Sequence, residues 1–199
     1  MPEVTVDMIK ALRQKTNCGI MDCKRALVEV DGDESRAIEL LRKQGLAKAV
    51  ERRDRSASEG AIFSYVHHDG RIGVLLQMNC ETDFVARTDE FRQLGSELCL
   101  QIAASDPRYV SQDDIPEDVL ESERNIYCEQ AAEMGKPKNV IDRIVEGKLK
   151  SFYEQVCLLD QTFVKEPNDR IGHMIDELSS KLGEKVEVGR FARFEISKG

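Results

Sequence analysis

The chain contains no tryptophan and only five prolines among its 199 residues. No apolar run reaches the roughly 18 residues that a membrane-spanning helix needs, so no membrane contact is expected. The start, Met1-Pro2-Glu3-Val4, has no basic segment leading into an apolar stretch, so no secretory signal is expected either. Two phosphate-binding patterns are absent: the G-x-x-x-x-G-K-[ST] loop and a G-x-G-x-x-G that follows a strand. H-E-x-x-H and G-x-S-x-G are missing too. The sequence therefore shows no means of binding a nucleotide itself, and no cofactor or metal is expected. Positive charge is also short. With 29 basic against 37 acidic residues the net charge is −8, a poor basis for neutralising phosphates, so no direct nucleic-acid contact is expected. The six cysteines, at positions 18, 23, 80, 99, 128 and 157, contain no C-x-x-C pair. Most fall on apolar periodic positions, where a thiol acts as a small hydrophobe, and a reduced cytosolic setting fits them.

Hydrophobic residues make up 41% and charged residues 33%, a balance typical of a globular chain able to bury a core. Charge is unevenly spread. Residues 1–55 carry 12 basic and 10 acidic side chains, whereas 56–199 carry 17 and 27. The composition changes at Ser56-Ala57-Ser58, which places a boundary between a helical domain, 1–55, and a second domain, 56–199. In the first, Thr5 caps a helix with Met8, Ile9 and Leu12 inward, and Asn17-Cys18-Gly19 stops it. A second helix follows Asp22, with Cys23, Ala26, Leu27 and Val30 on one face. After the Asp31-Gly32-Asp33 turn, Asp33 caps a third with Ala37, Ile38 and Leu41 inward, and Gly45 ends it. Leu46–Arg55 is basic and helix-compatible. Helices of about ten residues do not stand alone in water, so a three-helix bundle is expected.

In the second domain, 61–66 and 72–80 read as strands joined through His67-His68-Asp69-Gly70, where Asp-Gly favours a tight turn. Ile72-Gly73-Val74-Leu75-Leu76 is apolar on both faces, as in a central strand. Thr82 or Thr88 caps the next helix, which carries Phe91, Leu94, Leu98 and Ile102 until Asp106-Pro107 breaks it. Three more helices follow. One spans 117–134 between Pro116 and Gly135, and one runs from Asn139 to about Leu159. The last starts at Pro167-Asn168-Asp169, with Ile171, Met174, Ile175, Leu178 and Leu182 inward, and stops at Gly183. A final strand, 185–196, puts Val186, Val188, Ala192, Phe194 and Ile196 on one parity, and Gly189-Arg190 interrupts it as a bulge would. An early hairpin, a late strand and helices between them give the α+β class: antiparallel sheet covered by helices.

Few residues suggest chemistry. Adjacent His67 and His68 on a strand end would point to opposite faces, which suits solvated turn residues better than a shared metal. Asp113-Asp114 reads as first-turn helix charge. Thr82-Asp83-Phe84-Val85-Ala86 says more. Either Thr82 or Asp83 caps a helix while Phe84 enters the core, or Phe84 is an exposed wedge for a partner's pocket with Asp83 competing for polar contacts there. Ile20 and Met21 are equally open, as a staple at a helix start or as a flexible apolar contact.

Two segments carry a family resemblance. Leu12-Arg13-x-x-Thr16-x-x-Gly19-x-Met21-Asp22-Cys23-Lys24-x-Ala26-Leu27 is similar to the N-terminal signature of the elongation factor Ts family. Asn79-Cys80-Glu81-Thr82-Asp83-Phe84-Val85-Ala86 resembles its second signature. The two lie in the family's order and separation, and the resemblance covers the whole chain. It implies a guanine-nucleotide exchange factor for elongation factor Tu. It also implies a ubiquitin-associated-like N-terminal module that docks on the partner through Leu12, Ile20 and Met21. Thr82, Asp83, Phe84 and Val85 would reach the partner near its magnesium site. Ile20 stands where the family often has Met; it keeps the apolar character but is stiffer. The length resembles the short form of the family, which implies a homodimer and a two-plus-two complex, with 186–196 as a dimer edge. No covalent bond changes in this role, so the protein is not read as an enzyme, and a cytoplasmic location is implied.

Two other readings compete. A helical adaptor would use the N-terminal module without affecting nucleotide release, and would have no need of the Thr82–Ala86 motif. A small-molecule enzyme would need a nucleophile and base that the sequence does not let us place.

Overall fold

The structure is a computed structural model. It describes residues 4–16, 20–52, 55–133 and 137–196, with backbone alone at residues 14 and 45–52. The proposed stops at 17–19 and at Gly135 lie outside these residues, as does Cys18. The fold is α+β: among the described residues, eight α-helices and three strands. The order is α1 (Val6–Thr16), α2 (Ile20–Glu29), α3 (Glu34–Arg52), β1 (Glu59–Val66), β2 (Ile72–Cys80), α4 (Asp83–Ala86), α5 (Asp89–Ser105), α6 (Glu117–Ala132), α7 (Lys138–Val156), α8 (Ile171–Leu182) and β3 (Val186–Glu195). The chain forms two compact units. One gathers Met1–Gly60, Asn79–Thr88 and Ile175–Glu187; the other gathers Ala61–Met78, Asp89–Met174 and Val188–Gly199.

In the first unit, α1, α2 and α3 close around Ile9, Leu12, Cys23, Ala26, Leu27, Val30, Ala37 and Leu41. Thr5 Oγ1 accepts from the Met8 amide at 3.3 Å, and Asp33 Oδ1 accepts from the Arg36 amide at 2.9 Å, so both expected caps form. The turn between α2 and α3 uses positive φ at Asp31 and Gly32. Two expectations need correction. The third helix does not end at Gly45 but continues to Arg52. One glycine costs a helix interior about 1 kcal/mol, and the residues after it, rich in Ala, Leu, Lys, Glu and Arg, favour continuation. Ile38 is exposed rather than inward, because the buried row runs through Ala37 and Leu41. Arg42 Nε of α3 pairs with Glu177 Oε1 of α8 at 2.9 Å.

The second unit is built on the antiparallel sheet, ordered β1-β2-β3, with β2 central as its two-faced apolarity implies. The hairpin turn takes positive φ at Gly70, whose amide donates to the His67 carbonyl at 2.8 Å. On the inner face Phe63 meets Phe91 of α5, with ring centroids 5.9 Å apart. Phe91, Leu94, Leu98 and Ile102 are all buried, as their spacing predicts. Antiparallel α6 and α7 pack through Ala131, Val145 and Leu149 at one end. At the other, Phe152 and Val156 of α7 join Ile115 and Cys157. Buried Gln101 on α5 bonds Gln161 Oε1 at 3.0 Å and the Thr162 carbonyl at 3.1 Å, which ties down the segment after α7.

The last strand does not keep one parity. Val186 and Val188 are buried, yet Phe194 and Ile196 are exposed, and the half-buried side chains become Phe191 and Arg193. The inward parity changes across Gly189-Arg190, where the sequence pattern is interrupted. Beyond that point the sheet face opposite the helices presents Ile62 and Val66 of β1, Leu75 of β2 and Phe194 of β3, all well exposed. Arg193 turns the other way and donates to the Ala103 carbonyl of α5 at 3.3 Å.

Candidate partner-binding site

β2 ends at Cys80, and two residues later the chain turns into the four-residue helix α4. Thr82 is extended, and its Oγ1 accepts from the Val85 amide at 3.4 Å, capping that helix. The chain then bends again, with the Thr88 hydroxyl donating to the Val85 carbonyl at 2.8 Å. This corner decides the fate of each signature residue. Val85 is buried, while Thr82 and Asp83 are half-buried. Phe84 is 78% exposed, more than any other large apolar side chain among the described residues. The capping role and the exposed aromatic therefore occur together: Thr82 caps, and Phe84 stands outside the core.

Asp83 is not idle. Its Oδ2 accepts from Arg87 Nη2 at 2.8 Å, one helical turn on. Both side chains are substantially exposed, and a pair of this kind contributes about 0–1 kcal/mol, so a competing polar group can displace it. Thr82 is held from far along the chain. Its amide donates to Glu184 Oε2 at 3.0 Å and its hydroxyl to Glu184 Oε1 at 2.7 Å. Beside it, the Lys185 amide donates to Glu81 Oε1 at 2.6 Å, and Arg55 Nη1 lies 3.3 Å from the same oxygen. Cys80 Sγ is 3.1 Å from the Thr82 carbonyl. Burial, and then the nearby Glu184 charge, push that thiol above its ordinary value, so it is a packed group and not a reactive one. Sequence reasoning missed Glu184 and Arg87. Arg87 had a visible signal, a cation four residues after Asp83 in a helix-compatible run. Glu184 had none, because 102 residues separate it from Thr82.

The N-terminal candidates divide. Ile20 and Met21, in the first turn of α2, are 52% and 64% exposed. Val28 is also exposed, two turns beyond Met21 on the same side of the helix. Leu12 is fully buried in the bundle core, so it supports this face from within and is not displayed on it.

Elsewhere polar chemistry is sparse. His67 and His68 do not point apart as expected for a strand end. Both precede β2 in the turn, where alternation no longer applies, and their rings meet edge to face with centroids 4.2 Å apart. Tyr65 Oη and His67 Nδ1 are hydrogen-bonded at 2.8 Å. Among the described residues, no three His, Cys, Asp or Glu side chains gather as metal ligands, and no helix is long and apolar enough to cross a membrane.

Comparison with known proteins agrees with the two signature segments. A family model described as Elongation factor TS matches residues 27–198. Elongation factor Ts of Fervidobacterium nodosum is 52% identical over 196 residues, which cover 98% of this chain and 100% of that one. Elongation factor Ts of Thermotoga neapolitana is 50% identical over 98% of both chains. That of Caldanaerobacter subterraneus subsp. tengcongensis is 49% identical over 98% of both.

Proposed function

Because the chain belongs to the elongation factor Ts family, we propose that it is the guanine-nucleotide exchange factor for elongation factor Tu, acting in the cytoplasm during translation elongation. The observation that carries this reading is Phe84, a large aromatic left 78% exposed on a short capped corner inside the second signature. Leaving such a ring in water is unfavourable, and exposed aromatics of this kind are typical interface hot spots. In the proposed complex the bundle docks through Ile20 and Met21, with Leu12 behind them, as a ubiquitin-associated-like module would. Thr82–Val85 reaches the partner beside its magnesium ion.

Bound GDP is held there by phosphate-loop amides and by magnesium, which demands near-octahedral geometry and keeps several waters. A modest displacement of the surrounding groups is therefore costly. Phe84 wedges between partner elements, and Asp83 leaves Arg87 to compete for the polar groups that order the magnesium waters. Neither needs to touch GDP. The factor binds the nucleotide-free partner more tightly than the loaded one, and reciprocity then requires that nucleotide weaken factor binding by the same ratio. GTP entry completes the cycle. No covalent bond changes, so the activity is exchange and not enzymatic turnover of a substrate.

We further propose a homodimer and a two-plus-two complex. The apolar sheet face of Ile62, Val66, Leu75 and Phe194 supports it, since a face of this kind on a second copy would be self-complementary about a two-fold axis.

The test follows fluorescent GDP leaving elongation factor Tu at fixed magnesium, with this protein substoichiometric. Wild type should accelerate release catalytically. Phe84→Ala and Asp83→Ala should each lose about tenfold or more of the effect while still binding. Binding without acceleration by wild type would replace exchange with the adaptor reading.

A further inference from the structure

Phe84 rides on a helix of four residues, and a helix that short has no stability of its own. Its pose must be imposed from outside. The first unit supplies two carboxylates that do so. Beyond the end of β2, Glu81-Thr82 lies beside Glu184-Lys185, just ahead of β3. Each dipeptide offers a carboxylate to the other's backbone: Glu184 takes the Thr82 amide at 3.0 Å, and Glu81 takes the Lys185 amide at 2.6 Å. Glu184 is itself well fixed. α8 is followed directly by Gly183, which has φ +77°, and the Ser179 hydroxyl donates to the Glu184 carbonyl at 2.5 Å.

The second bond from Glu184 matters most. A threonine hydroxyl has one proton to donate. Thr82 gives that proton to Glu184 Oε1 at 2.7 Å, and its oxygen remains free to accept from the Val85 amide. The carboxylate thus orients the hydroxyl that caps α4, and a hydroxyl polarised in this way is a better acceptor. An ionised carboxylate, acceptor at both oxygens, matches the two Thr82 donors.

We propose that Glu184 is a positioning residue for nucleotide exchange: through Thr82 it fixes the corner that presents Phe84 and Asp83 to the partner, without contacting the partner itself. This rests on the exchange reading above. The clamp adds little to the core, because Thr82 and Glu184 are only half-buried and contribute no large apolar surface. Its removal should therefore loosen the corner more than it weakens the fold.

The experiment measures GDP release from elongation factor Tu for Glu184→Ala and Glu184→Gln, together with affinity for the nucleotide-free partner and thermal melting of each variant. Maximal stimulated release at saturating factor should fall about tenfold or more in Glu184→Ala, while affinity, carried by the α2 face, changes by less than about threefold. Glu184→Gln keeps one acceptor but turns an amide donor toward the second Thr82 donor, so its rate should lie between wild type and alanine. Should the alanine variant not fold, the glutamine variant carries the comparison. In a background carrying both Phe84→Ala and Asp83→Ala, Glu184→Ala should cause no further loss, because the corner then has neither group to present. Wild-type rates in Glu184→Ala, or a further loss when Glu184→Ala is added to the background lacking both groups, would overturn the positioning role alone. A wild-type protein that leaves GDP release unchanged would overturn the exchange reading and this inference together.

Discussion

Gly95 of α5 lies directly against the ring of Phe63 on β1. A Cβ built at position 95 would stand 2.5 Å from three ring carbons, closer than carbon atoms approach. The absence of a side chain is what lets helix and sheet meet there, with Phe91, one turn earlier on the same helix face, 5.9 Å from the same ring between centroids. Gly147 of α7 is the opposite case, with nothing within 4 Å of its virtual Cβ.

The same substitution at these two sites should have opposite signs. Gly95→Ala gains about 1 kcal/mol of helix propensity but must push the Phe63 ring into a packed layer, and overpacking of this kind costs about 1–3 kcal/mol. The melting temperature should fall. Gly147→Ala gains the propensity without a clash and should raise it. Thermal melts of the two variants decide the matter, and a stable Gly95→Ala would mean that the layer yields more easily than its geometry implies.

A second prediction concerns alkaline pH. Burial pushes the Cys99 thiol up to about 11. Burial, reinforced by Asp160 and Asp114, pushes Cys157 up to about 12. In the unfolded chain both ionise near the ordinary value of 9.0. Above that pH the unfolded state has given up protons that the folded state retains, so stability falls as pH rises. The contribution is complete below about pH 9 and is lost progressively toward the folded values. Denaturant midpoints at pH 8 and pH 10.5 test this. Cys99→Ala should be less stable than wild type at pH 8, and the gap should narrow at pH 10.5. A gap independent of pH would show that the thiol is not held protonated.

Much of this fold was legible because burial and period coincide. Phe91, Leu94, Leu98 and Ile102 announce α5, and the two-faced apolar run at 72–76 announces a central strand. Thr5, Asp33 and Gly183 mark helix ends by chemistry that acts within one turn. What was not legible has several causes. Gly45 reads as a stop until the helix-forming residues after it outweigh it. The change of inward parity at Gly189 appears only when burial is known. The site shows the same division. Thr82 as a cap could be read locally, whereas Phe84 could not be assigned to core or surface, because a four-residue helix has no period to interpret. Glu184 was invisible altogether.

The α2 face separates binding from folding. Met21→Glu replaces an exposed side chain, so stability should change by less than about 0.5 kcal/mol. Affinity for nucleotide-free elongation factor Tu should fall by about tenfold or more, because a carboxylate would then be buried against an apolar contact. Leu12→Ala should act through the core and cost about 2–5 kcal/mol of stability. Titrations of both variants against the partner, read beside their melts, distinguish display from support. Wild-type affinity in Met21→Glu would remove α2 from the interface.

The outer sheet face makes a further demand. Ile62, Val66, Leu75 and Phe194 present apolar surface on neighbouring strands, and Phe194 is 69% exposed. Scattered apolar residues on a surface need no explanation, but several exposed on one sheet face across three strands favour association. The edge of β3 alone would offer only backbone groups, whereas the face offers area. A dimer built on the face should therefore be lost when charge is placed on it. Sedimentation equilibrium should show a concentration-dependent dimer for wild type and a folded monomer for Phe194→Asp, with Leu75→Asp behaving alike. Because both positions are exposed in the single chain, their melts at low concentration should match wild type. A wild-type monomer at tens of micromolar, or a dimer that survives both substitutions, would show that the face is not where two copies meet.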